Sequence, residues 1–168
     1  MNNWSAPITL SDGHELEHFD CGDSLLNEWL KKIARKNQLS SASRCFVLCD
    51  NKTVVGYYSL SAGAIAREAS PKAMQRNMPD PLPVLLLGRL AIDKNRHNQG
   101  LGSALLRDAM IRAVSVADDV GVFAILVHAL SKEAKQFYKS CGFVESPLRP
   151  MTLLMTLKTM RTILMESV

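Results

Sequence analysis

The stretch "RHNQGLGSALL", Arg96–Leu106, decides the fold. Its glycines, Gly100 and Gly102, precede a run in which Ala104, Leu105, Ala109, Met110, Ile111, Ala113 and Val114 carry a helix to about Ala117. A glycine turn feeding a helix N-terminus is an anion cradle, because unpaired N–H groups and the positive end of the helix dipole converge there. Upstream, "VLLLGRLAID" (Val84–Asp93) is apolar nearly throughout, as a strand buried on both faces is; Gly88 within it marks a bulge or a close backbone neighbour. Downstream, "GVFAILVHA" supplies a second buried strand. Strand, glycine turn, helix and strand form a βαβ unit with parallel pairing.

Two nucleotide cradles are excluded by the residues after the turn. A Walker A loop needs Lys and Ser/Thr after its second glycine, where Ser103 and Ala104 stand. A dinucleotide fingerprint needs a third small residue, where Leu105 stands.

Further out, "FDCGDSLLNEWLKKIARKNQ" (Phe19–Gln38) predicts an amphipathic helix started by Gly22, Asp23 and Ser24. Its apolar stripe is Leu25, Leu26, Trp29, Leu30 and Ile33, with Lys31, Lys32 and Arg35 opposite and outward. "RCFVLCD" and "TVVGYYSL" predict a hairpin turning at Asp50–Lys52. "AREASPKAMQRNMPDPLP" predicts a structured loop with a short helical piece, its prolines from Pro79 to Pro83 excluding a central strand. "SKEAKQFYKSCGF" predicts a helix from an N-cap at Ser131 to Cys141, closed by Gly142. "MTLLMTLKTMRTILMES" predicts a strand to about Lys158, then a terminal helix capped by Thr159.

A chain of 168 residues, 47% hydrophobic and 21% charged, suits a single domain, 1–168. It has no apolar run near the ~20 residues of a membrane span and no secretion signal, so a cytoplasmic protein with no membrane partner is expected. Cys21, Cys45, Cys49 and Cys141 lack paired spacing, which argues against a metal site and a disulfide framework; Cys45 and Cys49 read as core thiols. The net charge is +4, and Lys31, Lys32, Arg35, Lys36 and Arg44 lie together with no acidic residue between them. That run suits either a polyanion or a solvated helix face.

"RLAID" and "NQGLGSALL", followed by a strand and "SKEAKQFYKSCGF", resemble the GNAT acyltransferase superfamily. The superfamily's pyrophosphate loop, Gln/Arg-x-x-Gly-x-Gly/Ala, corresponds to His97, Asn98, Gln99, Gly100, Leu101 and Gly102, with Ser103 next; its later Ala-x-x-Phe-Tyr-x-x-x-Gly-Phe pattern is met by Ala134, Phe137, Tyr138, Gly142 and Phe143. From Ile8 to about Leu157, segments such as "FDCGDSLLNEWL", "GYYSLSAG" and "NMPDPLPVLLLGRLAID" are similar to the TacT-like toxins of bacterial toxin-antitoxin modules. The resemblance implies an α/β GNAT fold: a mixed, mostly antiparallel sheet, splayed at its centre and flanked by helices. It also implies acetyl-CoA as co-substrate, acetylation of the α-amino group of aminoacyl-tRNA, a ribbon-helix-helix antitoxin and a homodimer. Two positions depart from the pattern: His97 replaces Gln or Arg, and Ser131 replaces a common Asn that contacts pantetheine.

Carried onto these residues, the resemblance places pantetheine along Leu90, Ala91 and Ile92 and makes Tyr138 the general acid for the departing thiolate. No strong general base is evident. An α-amino group titrates near ~7.7–8.0, so part of it is already neutral at cellular pH. His128 reads as a relay or a structural histidine, and Glu133 as a first-turn carboxylate facing its helix dipole. Arg89 reads as a contact to the acceptor end or as a buried ion-pair partner. Lys31, Lys32, Arg35, Lys36, Arg44, Arg76 and Lys94 are the expected backbone contacts to tRNA. A GNAT enzyme acting on a small amine or protein N-terminus is one rival, against which the basic run speaks. A catalytically idle GNAT-like binding module is another, against which Tyr138 and the intact glycines speak.

Overall fold

The computed structural model describes residues 4–166. The expected domain, 1–168, extends beyond them by its first three and last two residues. Two compact units make up the chain, Met1–Ser61 with Gly88–Ala109 and Ala62–Leu87 with Met110–Val168.

In the first unit, β1 (Ile8–Thr9) lies antiparallel to β2 (Arg44–Asp50), which turns through Asn51 and Lys52 into β3 (Thr53–Ile65). Asn51 takes the left-handed conformation at φ 56°, which asparagine tolerates. The β2–β3 ladder runs from Arg44 opposite Leu60 to Asp50 opposite Thr53. Beyond β3 comes the end of β4 (Leu82–Ile92), where the Asp93 amide donates to the Val55 carbonyl at 2.8 Å. Gly88 answers to a close neighbour: a Cβ there would fall 2.7 Å from the Ser59 hydroxyl oxygen. Cys45 and Cys49 are core thiols, packed with Val47, Tyr57 and Trp29; burial pushes the Cys45 thiol up to about 12.

The expected N-terminal helix has three parts: α1 (Ser24–Glu28), a π-helical turn (Trp29–Ile33) and α2 (Ala34–Leu39). Asp23 starts it, its Oδ1 accepting from the Leu25 amide at 2.9 Å. The Ala34 amide reaches back five residues to the Trp29 carbonyl, so the turn holds one residue more than an α-turn and the faces slip out of phase. This corrects the expected stripe: Trp29, Leu30 and Ala34 are buried, whereas Leu25 is 79% and Ile33 42% exposed. Arg35 does not point outward with Lys31 and Lys32. Its Nη2 donates to the carbonyls of Ser11 at 3.0 Å and His14 at 2.7 Å. Gln38 ties β1 to β2, its Nε2 donating to the Leu10 carbonyl at 2.6 Å and its Oε1 accepting from the Cys45 amide at 3.1 Å.

The second unit holds the end of β3, α3 (Lys72–Gln75), the start of β4, β5 (Ala124–His128), α5 (Lys132–Ser140), β6 (Val144–Glu145), β7 (Thr152–Thr156) and α6 (Leu157–Glu166). β5 pairs in parallel with β4 from Val84–Ala124 to Leu87–Val127, and antiparallel with β7, which pairs antiparallel with β6. Among the described residues the strand order is β1-β2-β3-β4-β5-β7-β6, a mixed and mostly antiparallel seven-stranded sheet. Its ladder with β5 ends at Leu87, while β4 continues to Ile92.

Three expectations change here. Pro83 lies inside β4, because a missing N–H is tolerated in a strand's opening residues and its carbonyl still accepts from the Phe123 amide at 2.9 Å. The C-terminal cap is Thr156, whose hydroxyl oxygen accepts from the Thr159 amide at 3.2 Å; the strand therefore ends before Lys158. The two-residue strands β1 and β6 are too short to leave an alternation in the sequence. Ser131 caps α5 as expected, its hydroxyl oxygen accepting from the Ala134 amide at 3.0 Å. Ser131→Ala is expected to lower unfolding free energy by ~0.5–2 kcal/mol, measured by urea denaturation.

Candidate active site

In the first unit, α4 (Leu101–Ala117) opens on Gly100, whose carbonyl accepts from the Ala104 amide at 3.1 Å. The amides of Leu101, Gly102 and Ser103 precede that first ladder bond and have no carbonyl within the helix to donate to. No acidic residue lies in this first turn. Asn98 and Gly100 both adopt left-handed backbone, φ 63° and 76°, which folds the chain back into the helix start. A Cβ on Gly100 would meet nothing within 4 Å, so conformation rather than space calls for glycine. Three converging N–H groups at a positive helix end, without a competing carboxylate, fit a pyrophosphate such as that of acetyl-CoA.

The entry to this loop is fastened by residues the sequence reading did not single out. Buried Asp93 accepts from the Asn95 amide through Oδ1 at 2.9 Å and from the Asp20 amide through Oδ2 at 3.1 Å. Asp20 in turn pairs with Lys94 at 3.0 Å. The Gly22 amide first, then the Asn27 amide group and Lys94, hold the Asp20 carboxyl far below the usual carboxylate range. An aspartate closing an apolar strand ahead of a turn was the available signal for Asp93.

His97 is exposed, and its Nε2–H donates to the Ile92 carbonyl at 2.8 Å. The imidazole is thus turned back onto the end of β4, which brings His97 together with the expected Leu90–Ile92 segment. Leu90 and Ile92 are half-buried and Ala91 buried; Asn98, Gln99 and Ser103 are exposed, Leu101 buried and Gly102 half-buried. Arg96 pairs with Asp50 at 3.0 Å.

In the second unit, α5 carries Ser131, Ala134, Phe137 and Tyr138. Ala134 and Phe137 are half-buried. Tyr138 is 7% exposed, its ring edge-on to Phe137 at 5.3 Å and to Phe143 at 5.4 Å. Burial first, and the Cys141 thiol second, push its phenol up to about 12, so at neutral pH it is a proton donor. Among the described residues its hydroxyl forms no hydrogen bond. His128 is exposed, with Nδ1 2.9 Å from the Thr152 hydroxyl; burial first and Arg149 second lower its pKa. Glu133 sits in the first turn of α5.

The expected tRNA-binding cations differ in what already holds them. Lys32 pairs with Glu28 at 2.5 Å and Lys94 with Asp20, Arg35 is bound to backbone carbonyls, and Arg44 donates to the Gln38 carbonyl at 2.8 Å. Lys31, Lys36 and Arg76 are exposed. Arg89 is half-buried, its guanidinium carbon 4.4 Å from the centre of the Trp29 ring. Among the described residues no group of three His, Cys, Asp or Glu side chains is placed to hold a metal ion, and no helix is long and apolar enough to cross a membrane.

A family model described as an acetyltransferase (GNAT) domain matches residues 41–145. The chain is 44% identical, over 98% of its length and 99% of the relative's, to a tRNA-acetylating toxin of Mycobacterium tuberculosis (strain ATCC 25618 / H37Rv). Its structure is similar to that of AtaT complexed with acetyl-methionyl-tRNAfMet, with a TM-score of 0.89 and 30% identity, covering 96% of this chain and 99% of that one. It is also similar to a mutant of the toxin AtaT bound to the C-terminus of the antitoxin AtaR and acetyl-CoA, with a TM-score of 0.83 and 28% identity over 97% and 99% of the two chains.

Proposed function

The chain belongs to the GNAT acetyltransferase family, and from that membership we propose that it is a toxin that moves the acetyl group of acetyl-CoA to the α-amino group of aminoacyl-tRNA. The observation that carries this reading is 44% identity to a tRNA-acetylating toxin along nearly the whole of both chains. The product is an N-acetylated aminoacyl ester, which has lost the nucleophile that peptide bond formation requires.

When bound, acetyl-CoA supplies an acetyl thioester open to attack by an amine. The amides of Leu101, Gly102 and Ser103 hold its pyrophosphate, with His97, Asn98, Gln99 and Gly100 shaping the turn, and Leu90–Ile92 offer backbone to its pantetheine arm. Ser131, Ala134 and Phe137, on α5, are further cofactor contacts in this reading. Tyr138 gives its phenolic proton to the departing sulfur, a role supported by the burial that keeps it protonated. The acceptor amine needs no strong base, since it titrates near ~7.7–8.0. Lys31, Lys32, Lys36, Arg44, Arg76, Arg89 and Lys94 contact the tRNA in this reading, most of them as contacts that salt weakens, whereas Arg35 is committed to the Ser11 and His14 carbonyls.

The same reading gives the protein a cytoplasmic location, a homodimeric state and a neutralising antitoxin of the ribbon-helix-helix type. It is tested by incubating the protein with acetyl-CoA and a set of charged tRNAs. Conversion of the aminoacyl ester to a form resistant to deacylation is expected for at least one of them. Failure with every charged tRNA would sink it.

A further inference from the structure

Arg89 differs from five other cations of its unit in what holds it. Lys32, Lys94, Arg96, Arg35 and Arg44 already spend charge or donors on Glu28, Asp20, Asp50 and main-chain carbonyls. Arg89 forms no hydrogen bond or ion pair among the described residues, although it is half-buried. What fixes it is an aromatic cluster: Tyr57 is fully buried, Trp29 stacks with it at 5.8 Å with the rings 10° from parallel, and the Arg89 guanidinium carbon lies over the Trp29 ring, 4.4 Å from its centre. The Tyr57 hydroxyl donates to the Leu26 carbonyl at 2.7 Å, anchoring the base of the stack to α1. Trp29 is also the first residue of the π-helical turn, so the helix irregularity and the stack meet at one residue.

A guanidinium held by one face keeps its N–H edge free. That edge is a planar fork matched to two oxygens of a phosphate, in a setting drier and better oriented than a mobile lysine offers. Arg89 also lies one residue before the Leu90–Ile92 segment assigned above to pantetheine.

Resting on the aminoacyl-tRNA reading, we infer that Arg89, positioned by Trp29, binds the phosphate of the acceptor's 3′-terminal nucleotide and so selects nucleotide-borne amines over free ones. Arg89 touches the substrate; Trp29 is a positioning residue that acts through it. The phosphate holds the ester while the amine reacts, and the lysines of the surface set only the general attraction.

The test compares two acceptors, an aminoacyl ester of adenosine with and without a 5′-phosphate. For the wild type, kcat/KM is expected to be about ten- to a hundredfold higher with the phosphate, the usual range for a charge-assisted contact. In Arg89→Gln the two acceptors should become nearly equal, and Arg89→Lys should keep part of the preference. Trp29→Phe, which retains a buried ring, should also shrink the ratio. No preference in the wild type, or an undiminished one in Arg89→Gln, overturns the inference. Because the quantity is a ratio within each variant, a partly unfolded preparation does not imitate the result. Acetylation of charged tRNA by the wild type with the ratio unchanged by Arg89→Gln would remove this inference and leave the toxin reading standing.

Discussion

Replacing Tyr138 with Phe is expected to lower the rate of acetyl transfer to charged tRNA by about 10²–10⁴-fold, the usual span for removal of a general acid. The substitution deletes only the hydroxyl. The edge-on contacts of the ring with Phe137 and Phe143 remain, so the melting temperature and the KM for acetyl-CoA should hardly move. The pH profile gives a second reading of the same group. The acceptor amine must lose a proton, so the rate rises through its ordinary pKa near ~8. Tyr138 must keep its proton, and burial pushes that pKa up to about 12, so no falling limb from this residue is expected between pH 7 and 10. Single-turnover kinetics of wild type and variant across that range measure both effects. Wild-type rates in the variant would assign the proton to another donor.

Ser103→Glu should pull stability and binding in opposite directions. Ser103 is the third residue of α4 and is exposed. A carboxylate there meets the helix's positive end and should stabilise the free protein by ~0.3–1 kcal/mol. The same charge occupies the anion cradle and repels a pyrophosphate a few ångströms away, so acetyl-CoA affinity should fall about ten- to a hundredfold at low salt, less as salt screens the pair. Calorimetric titration and thermal melting on one preparation test this. A more stable protein with unchanged acetyl-CoA affinity would place the pyrophosphate elsewhere.

The parts of this fold that were legible are those whose signals are local. The glycine turn and the apolar spacing after it mark α4 to its last residue, Ala117, and Ser131 marks the cap of α5. The N-terminal helix was legible as a helix but not in phase, because a 3.6-residue period assumes an uninterrupted ladder and the π-helical turn adds a residue at Trp29–Ile33. Charge was misleading for a different reason. Cations are visible in the sequence, but their partners lie elsewhere: Ser11 and His14 for Arg35 in the basic run, and, outside it, Asp20 for Lys94 and an aromatic ring for Arg89. Only the fold shows which cations are already satisfied. Tyr138 as a candidate acid rests on the resemblance of its surrounding motif. The burial that keeps its phenol protonated is built by Phe137 and Phe143, and Phe143 reaches it only because the chain reverses through Gly142 at φ 109°.

The π-helical turn also bears on how this helix tolerates changes in length. Geometrically it is a one-residue insertion that the chain absorbs within Trp29–Ile33, while α1 before it and α2 after it each stay in register with their own anchors, Asp23 at one end and Gln38 at the other. In a regular helix, removing one residue rotates everything downstream by about 100° and dismantles a packed face. Here the surplus residue can be lost and a regular α-helix regained, so a deletion at exposed Lys31 or Lys32 leaves the Arg35 and Gln38 anchors in reach. Single-residue gaps at this point are therefore a route by which this helix can change length without giving up the fold.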